Sequence, residues 1–371
     1  MSRKYSGKFS SGTPEDRNPN NSADGSGQRK NKKAKRRIIW WVLLGILIFL
    51  LAMLVAASIF VISKLNKINR VDPNETRIGP EQAATIPDET DAPPDPSDSN
   101  APIVNEQDVT LATVPEDDIL IGESEEIVNI LLIGQDRRPG EERARSDSMI
   151  LVSFNKDANT MTMVSFLRDN YVQIPGGYRD NRLNVAYNFG GMELLDEALE
   201  VNFGIYVDAN IEVDFTGFTS VIDTLGGVDV YLTEAEADYL GGGLSAGMNH
   251  LSGDEALSYS RIRKLDSDFG RTNRQRNVLE SLFNSFRNIS LSDALNLADQ
   301  LFPLLTTDMT NMEMIGYITE LLPVLSATDG IESLHIPGDG NYYDATIRGM
   351  MVLVPDLNAC REQLREALLN P

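Results

Sequence analysis

The chain has 371 residues, 42% of them hydrophobic and 24% charged, with a formal net charge of −22 and one cysteine, Cys360. A single cysteine excludes an intramolecular disulfide, a CxxC pair and a thiolate zinc site. The acidic balance repels polyanions and argues against nucleic acid as a partner.

The charge is split along the chain. Residues 1–37 carry 11 Lys/Arg and 3 Asp/Glu, a net of +8, and the rest carries −30. The first 37 residues are polar, basic and rich in Gly, Ser and Asn, which predicts a disordered tail. Residues 38–62 follow as 25 positions without a charge. At about 1.5 Å per residue, such a helix crosses the roughly 30 Å hydrocarbon core. A cleaved signal peptide is the alternative, but its apolar region is usually only about 7–15 residues long. Seven basic residues between Arg29 and Arg37 face Lys64, Lys67 and Arg70 on the other side. The positive-inside rule then gives a single-pass protein with a cytoplasmic N-terminus and the bulk of the chain outside. The basic tail suits an anionic inner leaflet, so membrane lipid is an expected partner.

Residues 63–118 are acidic and Pro-rich, as in Asp91-Ala92-Pro93-Pro94-Asp95-Pro96, and predict an extended linker. A folded domain is expected over 119–371. Strands are predicted at 127–133, 149–154, 161–166, 205–213, 228–232 and 333–336. Helices are predicted at 193–202, 215–225, 254–262, 272–287, 293–301, 312–325 and 357–369. The mixture gives an α/β class, with α+β as the alternative, built on a central mixed sheet flanked by helices. His250 is expected in a loop and His335 in a strand, and neither suits catalysis.

Cations beyond residue 118 are sixteen arginines and two lysines, Lys156 and Lys264. Twelve of the arginines fall in two windows: Arg137 to Arg182, and Arg261 to Arg276. Arginine in preference to lysine suits bidentate grip on phosphate or carboxylate; salt bridges within an acidic chain are the bland alternative. Three predicted strand ends pair Asp with Arg: Asp136 with Arg138, Asp147 with Arg145, and Asp169 with Arg168. Mixed signs suit a metal-bridged phosphate, with aspartates on Mg²⁺ and arginines on the remaining oxygens. Arg271 and Gln275, four apart, share a helical face. Ile211, Val213, Phe215, Phe218, Val221, Ile222 and Leu225 could line an apolar channel, and core packing would explain the same residues.

The runs NILLIGQDRR, RSDSMILVSFN, MVSFLRDNYVQIPG, RLNVAYNFGG, VDFTGFTSVIDTLGGVDV, LSGDEALSYSRIRK and DFGRTNRQRNVLE, in that order over residues 127–285, resemble the LytR–CpsA–Psr family. The resemblance implies a Mg²⁺-dependent phosphotransferase at the membrane of a Gram-positive bacterium. Its substrate would be an undecaprenyl-pyrophosphate-linked glycopolymer, of wall teichoic acid or capsular polysaccharide type, and its acceptor peptidoglycan. By that resemblance Asp136 and Asp147 associate with Mg²⁺, while Arg138, Arg145, Arg168, Arg261, Arg263, Arg271 and Gln275 hold the pyrophosphate. Asp147 and Asp169 are the candidate bases, with Arg168 beside them. Arg137, Arg143, Arg179 and Arg276 need not belong to the site. Leu167 and Asn170 stand where the family commonly has Pro and Thr, which removes no charged group. A polyprenyl-phosphate sensor and a carrier pyrophosphatase remain alternative readings.

Overall fold

The computed structural model describes residues 53, 55–71, 77–88, 101–115, 119–135, 143–266, 268–287, 297–328 and 330–369. The chain forms two units, 1–60 and 61–371. In the first, the described residues 53 and 55–60 are helical. Most of the expected membrane span therefore lies outside the described residues, as do residues 1–37. Among the described residues no helix is long and apolar enough to cross a membrane.

In the second unit the strands are β1 (Asn69–Arg70), β2 (Ile127–Gln135), β3 (Ser146–Asn155), β4 (Thr160–Phe166), β5 (Tyr171–Val172), β6 (Asn181–Arg182), β7 (Ala209–Asp214), β8 (Val228–Leu232), β9 (Gly247–Leu251), β10 (Thr306–Thr307), β11 (Ile331–Ile336), β12 (Tyr342–Ile347) and β13 (Met350–Pro355). The helices that concern the fold and site are α1 (Leu183–Phe203), α2 (Phe215–Thr224), α3 (Glu234–Leu240), α4 (Gly253–Ser260), α5 (Asp268–Arg287), α6 (Asn311–Ala327) and α7 (Leu357–Leu369); a short helix also spans Pro80–Ala83. Seven strands form one sheet in the order β1-β10-β7-β2-β3-β4-β11, with parallel and antiparallel pairs, so the expected mixed sheet with flanking helices is present.

Both sheet faces are covered, which explains why β2 to β4 read as near-continuous apolar runs. Alternate residues go to opposite faces. Met149 and Leu151 pack with Leu194, Ala198 and Leu199 of α1 and Leu364 of α7. Ile150 and Val152 pack with Leu321 and Val324 of α6. A second small core joins α2, α4 and α5 to the β8–β9 hairpin. Helix α1 begins ten residues before its predicted start. It bends at Gly191, whose φ of 67° and ψ of −153° lie where only glycine sits comfortably, and ends at left-handed Gly204 as expected. The hairpin β12–β13 escaped prediction, because Tyr343, Asp344 and Thr346 blur its alternation.

The expectation of an extended linker over 63–118 fails for the stretches described. β1 joins the main sheet beside β10. Arg77 pairs with Glu197 of α1 at 2.6 Å. Arg348 donates to Asp88 at 2.8 Å and to Glu106 at 2.6 Å, and Ile103 bridges Thr346. The acidity that suggested self-repulsion is instead met by arginines of the domain.

Candidate phosphate-binding cleft

Strand polarity gathers the site. β2 runs antiparallel to β3, β3 antiparallel to β4, and β7 parallel to β2. The end of β2, the start of β3 and the ends of β4 and β7 therefore meet at one edge of the sheet. There a cleft of about 1060 Å³ opens.

Asp147 reaches it through a β-bulge. Gly134 pairs with Ser148 and Gln135 with Ser146, so Asp147 has no partner across the ladder. A bulge re-aims the side chain that it leaves unpaired. Arg168, just past β4, donates from Nη1 to Asp147 Oδ1 at 2.9 Å and from Nε to Asp169 Oδ2 at 3.3 Å. Arg182, 2% exposed, continues the chain of charges to Asp169 Oδ1 at 3.4 Å. From the opposite wall, Arg271 of α5 pairs with Asp268 at 2.8 Å, and its buried Nε has no hydrogen-bond partner among the described residues. Gln275, one turn on, accepts from Ser148 Oγ at 3.1 Å. Arg261 stacks 4.4 Å over the Phe215 ring at the start of α2. The 261–266 loop that carries Arg261 and Arg263 is fixed from beneath by buried Arg274, which donates to Ile262 O at 2.8 Å and to Asp266 at 2.6 Å.

The electrostatics follow from this crowding. Burial alone would push the Asp147 carboxyl up, but Arg168, Arg271 and Arg263 outweigh it and hold Asp147 below the usual carboxylate range. Burial also acts against Arg168, and Asp169, Asp268 and Asp147 overcome it, keeping its guanidinium more basic than usual. Arg271 goes the other way. Burial pulls it to about 10, and repulsion from Arg168 and Arg263 adds to an effect that Asp268 only partly offsets. The cleft holds more positive than negative charge and is suited to a multiply charged anion.

Most of the expected site residues meet here. Arg145, Asp147, Arg168, Arg261, Arg263, Arg271 and Gln275 line the cleft. Asp136 and Arg138 lie outside the described residues. Asp169 is not among the lining residues; it stands behind Arg168 and Arg182. Arg143, set aside in the sequence, does line the cleft, as does Arg182. Arg143 is two residues from Arg145, and Arg182 opens the RLNVAYNFGG run; those spacings were the available signals. Arg179 turns away to Glu106 at 2.8 Å, and buried Arg276 donates to Ser165 at 2.7 Å. His250 lies in β9 rather than a loop, and His335 lies in β11; neither lines the cleft.

The other half of the cleft is apolar. Ile211, Val213, Phe215, Phe218 and Val221 line it, with Leu301, Leu305 and Phe283. Ile222 does not. It is fully buried on the other side of α2, packed with Val228 and Leu251, and is a core residue.

The donor chemistry fits Mg²⁺. Asp147 offers a carboxylate inside the arginine-lined cleft, and its second oxygen makes no hydrogen bond among the described residues. Mg²⁺ is commonly held by one or two carboxylates plus substrate phosphates. Among the described residues no group of three or more His, Cys, Asp or Glu could hold a metal ion.

Known proteins share this architecture. Polyisoprenyl-teichoic acid–peptidoglycan teichoic acid transferase TagU of Bacillus mycoides (strain KBAB4) is 34% identical over 218 residues, 58% of this chain and 70% of that protein. TagU of Bacillus licheniformis is 41% identical over 164 residues, 44% of this chain and 53% of that protein. The solved structure of TagT bound to LIIa-WTA aligns with a TM-score of 0.54 at 28% identity, covering 70% of this chain and 99% of its own. B. subtilis TagV aligns with a TM-score of 0.55 at 29% identity, covering 66% of this chain and 98% of its own. The LytR_cpsA_psr family model matches residues 94–366, beginning inside the stretch first read as linker, and the chain belongs to that family.

Proposed function

We propose that this protein transfers an anionic glycopolymer, of the teichoic acid type named for its relatives, from a prenyl-pyrophosphate carrier to peptidoglycan. The observation that supports this most is the division of one cleft into a guanidinium-lined half and an apolar half. A diphosphate with a lipid tail matches both halves at once.

A peptidoglycan hydroxyl attacks the phosphorus that bears the polymer. The bond from that phosphorus to the bridging oxygen breaks, prenyl phosphate leaves with the electron pair, and a phosphodiester remains on the acceptor. Charge builds on oxygens that Arg168, Arg263 and Arg271 surround, and such prearranged donors stabilise the transition state without reorganising. Phosphoryl transfer through a loose transition state asks little of a base. Asp147, the candidate base that lines the cleft, is kept ionised by Arg168, Arg271 and Arg263, so the hydroxyl proton passes to solvent water; Asp169 holds Arg168 and Arg182 in place. Mg²⁺ would be held by Asp147 with Asp136, and when bound it supplies charge neutralisation on the phosphate oxygens.

The test is binding of a short prenyl pyrophosphate to the detergent-solubilised full chain by calorimetry. Losing a charge-assisted contact costs about 1.5–3 kcal/mol, so Arg271→Ala should bind roughly 10- to 100-fold more weakly. Equal affinity for wild type and variant would remove Arg271 from the phosphate grip.

A further inference from the structure

Residues 61–71 enter the second unit as a collar. Leu65 is 3% exposed and packs with Ala209, Met309 and Met314. Asn69 N donates to Leu305 O at 3.1 Å, and Asn69 Nδ2 donates to Pro303 O at 2.9 Å. Lys67 pairs with Asp299 at 2.8 Å, and Lys64 pairs with the same carboxylate. Arg70 donates to Asn311 Oδ1 at 2.6 Å, and the next residue, Met312, is 72% exposed. The segment gripped in this way, 299–305, also supplies Leu301 and Leu305 to the apolar half of the cleft. The point where the chain enters the fold from its uncharged run and the apolar mouth are thus two sides of one short segment.

We propose that the collar sets the apolar mouth against the bilayer, so that a prenyl tail passes from the membrane into the cleft past Leu301 and Leu305. This rests on the membrane-borne substrate of the preceding subsection. Every methylene exposed to water opposes the transfer of an apolar tail. A mouth held on the bilayer removes that exposure, whereas a domain on a loose tether would not. Met312 beside the collar is the apolar side chain that the same surface would immerse.

The experiment uses the full chain in liposomes, with a fluorophore on Met312→Cys or on Tyr343→Cys. Tyr343 lies in the β12–β13 hairpin, which is bridged to the chain just past β4. Cys360 is fully buried and does not compete for label. A nitroxide lipid should quench the label at 312 and spare the one at 343. Inserting about twelve Gly/Ser residues after Phe60, ahead of the collar, adds a coil on the order of 20 Å and leaves residues 61–71 unchanged. That insertion should abolish the quenching difference. It should also lower kcat/KM for a long-chain carrier embedded in the bilayer about tenfold, with little change for a short-chain soluble carrier. Equal quenching at both positions overturns the proposal whatever the activity, as does unchanged turnover of the embedded carrier after insertion. Position-specific quenching without turnover of either carrier supports the docked geometry and counts against the transferase reading alone.

Discussion

Asp147 and Asp196 are both partly buried carboxylates, and their surroundings push them in opposite directions. Burial raises both, but Asp147 faces Arg168, Arg271 and Arg263, and the result is a lowered pKa. A direct NMR titration of its carboxyl should therefore show ionisation below the ordinary carboxylate range. In Arg168→Gln the midpoint should rise, because burial then acts with less opposition. A midpoint that ignores Arg168 would break the link between them. Asp196 is raised well above its usual value, by burial first and then by Asp308, Glu200 and Glu197, while the Asn210 hydrogen bond opposes the shift. Its folded state retains a proton that the unfolded chain releases, so its contribution to stability falls as pH rises from the ordinary carboxylate range toward the folded pKa. Asp196→Asn should gain thermal stability relative to wild type as pH goes from about 4 to about 8. A constant difference in Tm across that range would contradict this.

Elements place these residues, and one buried side chain holds the second wall together. Arg274 ties the 261–266 loop to α5 and also meets Glu236 of α3 at 3.2 Å. Removing one partner of a buried ion pair typically costs about 3–5 kcal/mol. Asp266 is partly exposed, so Arg274→Ala should lose about 3 kcal/mol in urea unfolding. Transfer should fall as well, because Arg261 and Arg263 lose their fixed position. The strands and helices behind the site were legible in the sequence because their apolar periods are strong, as in 149–154, 161–166 and 357–369. The arginines were legible because they segregate from lysine. What the sequence hid depends on register and on long-range partners. Nothing local reveals the bulge at Asp147, the inward turn of Arg143, or the burial of Ile222 on the far side of α2. Asp169 sits beside Arg168 in the sequence, and only the fold shows that it supports rather than lines the cleft.

At the scale of the molecule, the acidic stretch beyond the uncharged run changes meaning. Its composition predicts a solvated linker, but Arg348, Arg77 and the β1–β10 pairing draw its described parts into the domain. Under the proposals made above, the domain, its collar and its cleft form one device for a substrate with a lipid tail and a charged head. The most direct measurement is mass spectrometry of products from the full chain in liposomes given a synthetic prenyl-pyrophosphate glycopolymer and peptidoglycan fragments. The account predicts a phosphodiester-linked polymer–peptidoglycan product with one prenyl phosphate released per link, and loss of both in Arg168→Ala. Prenyl phosphate released at the same rate without acceptor, and no linked product, would contradict it.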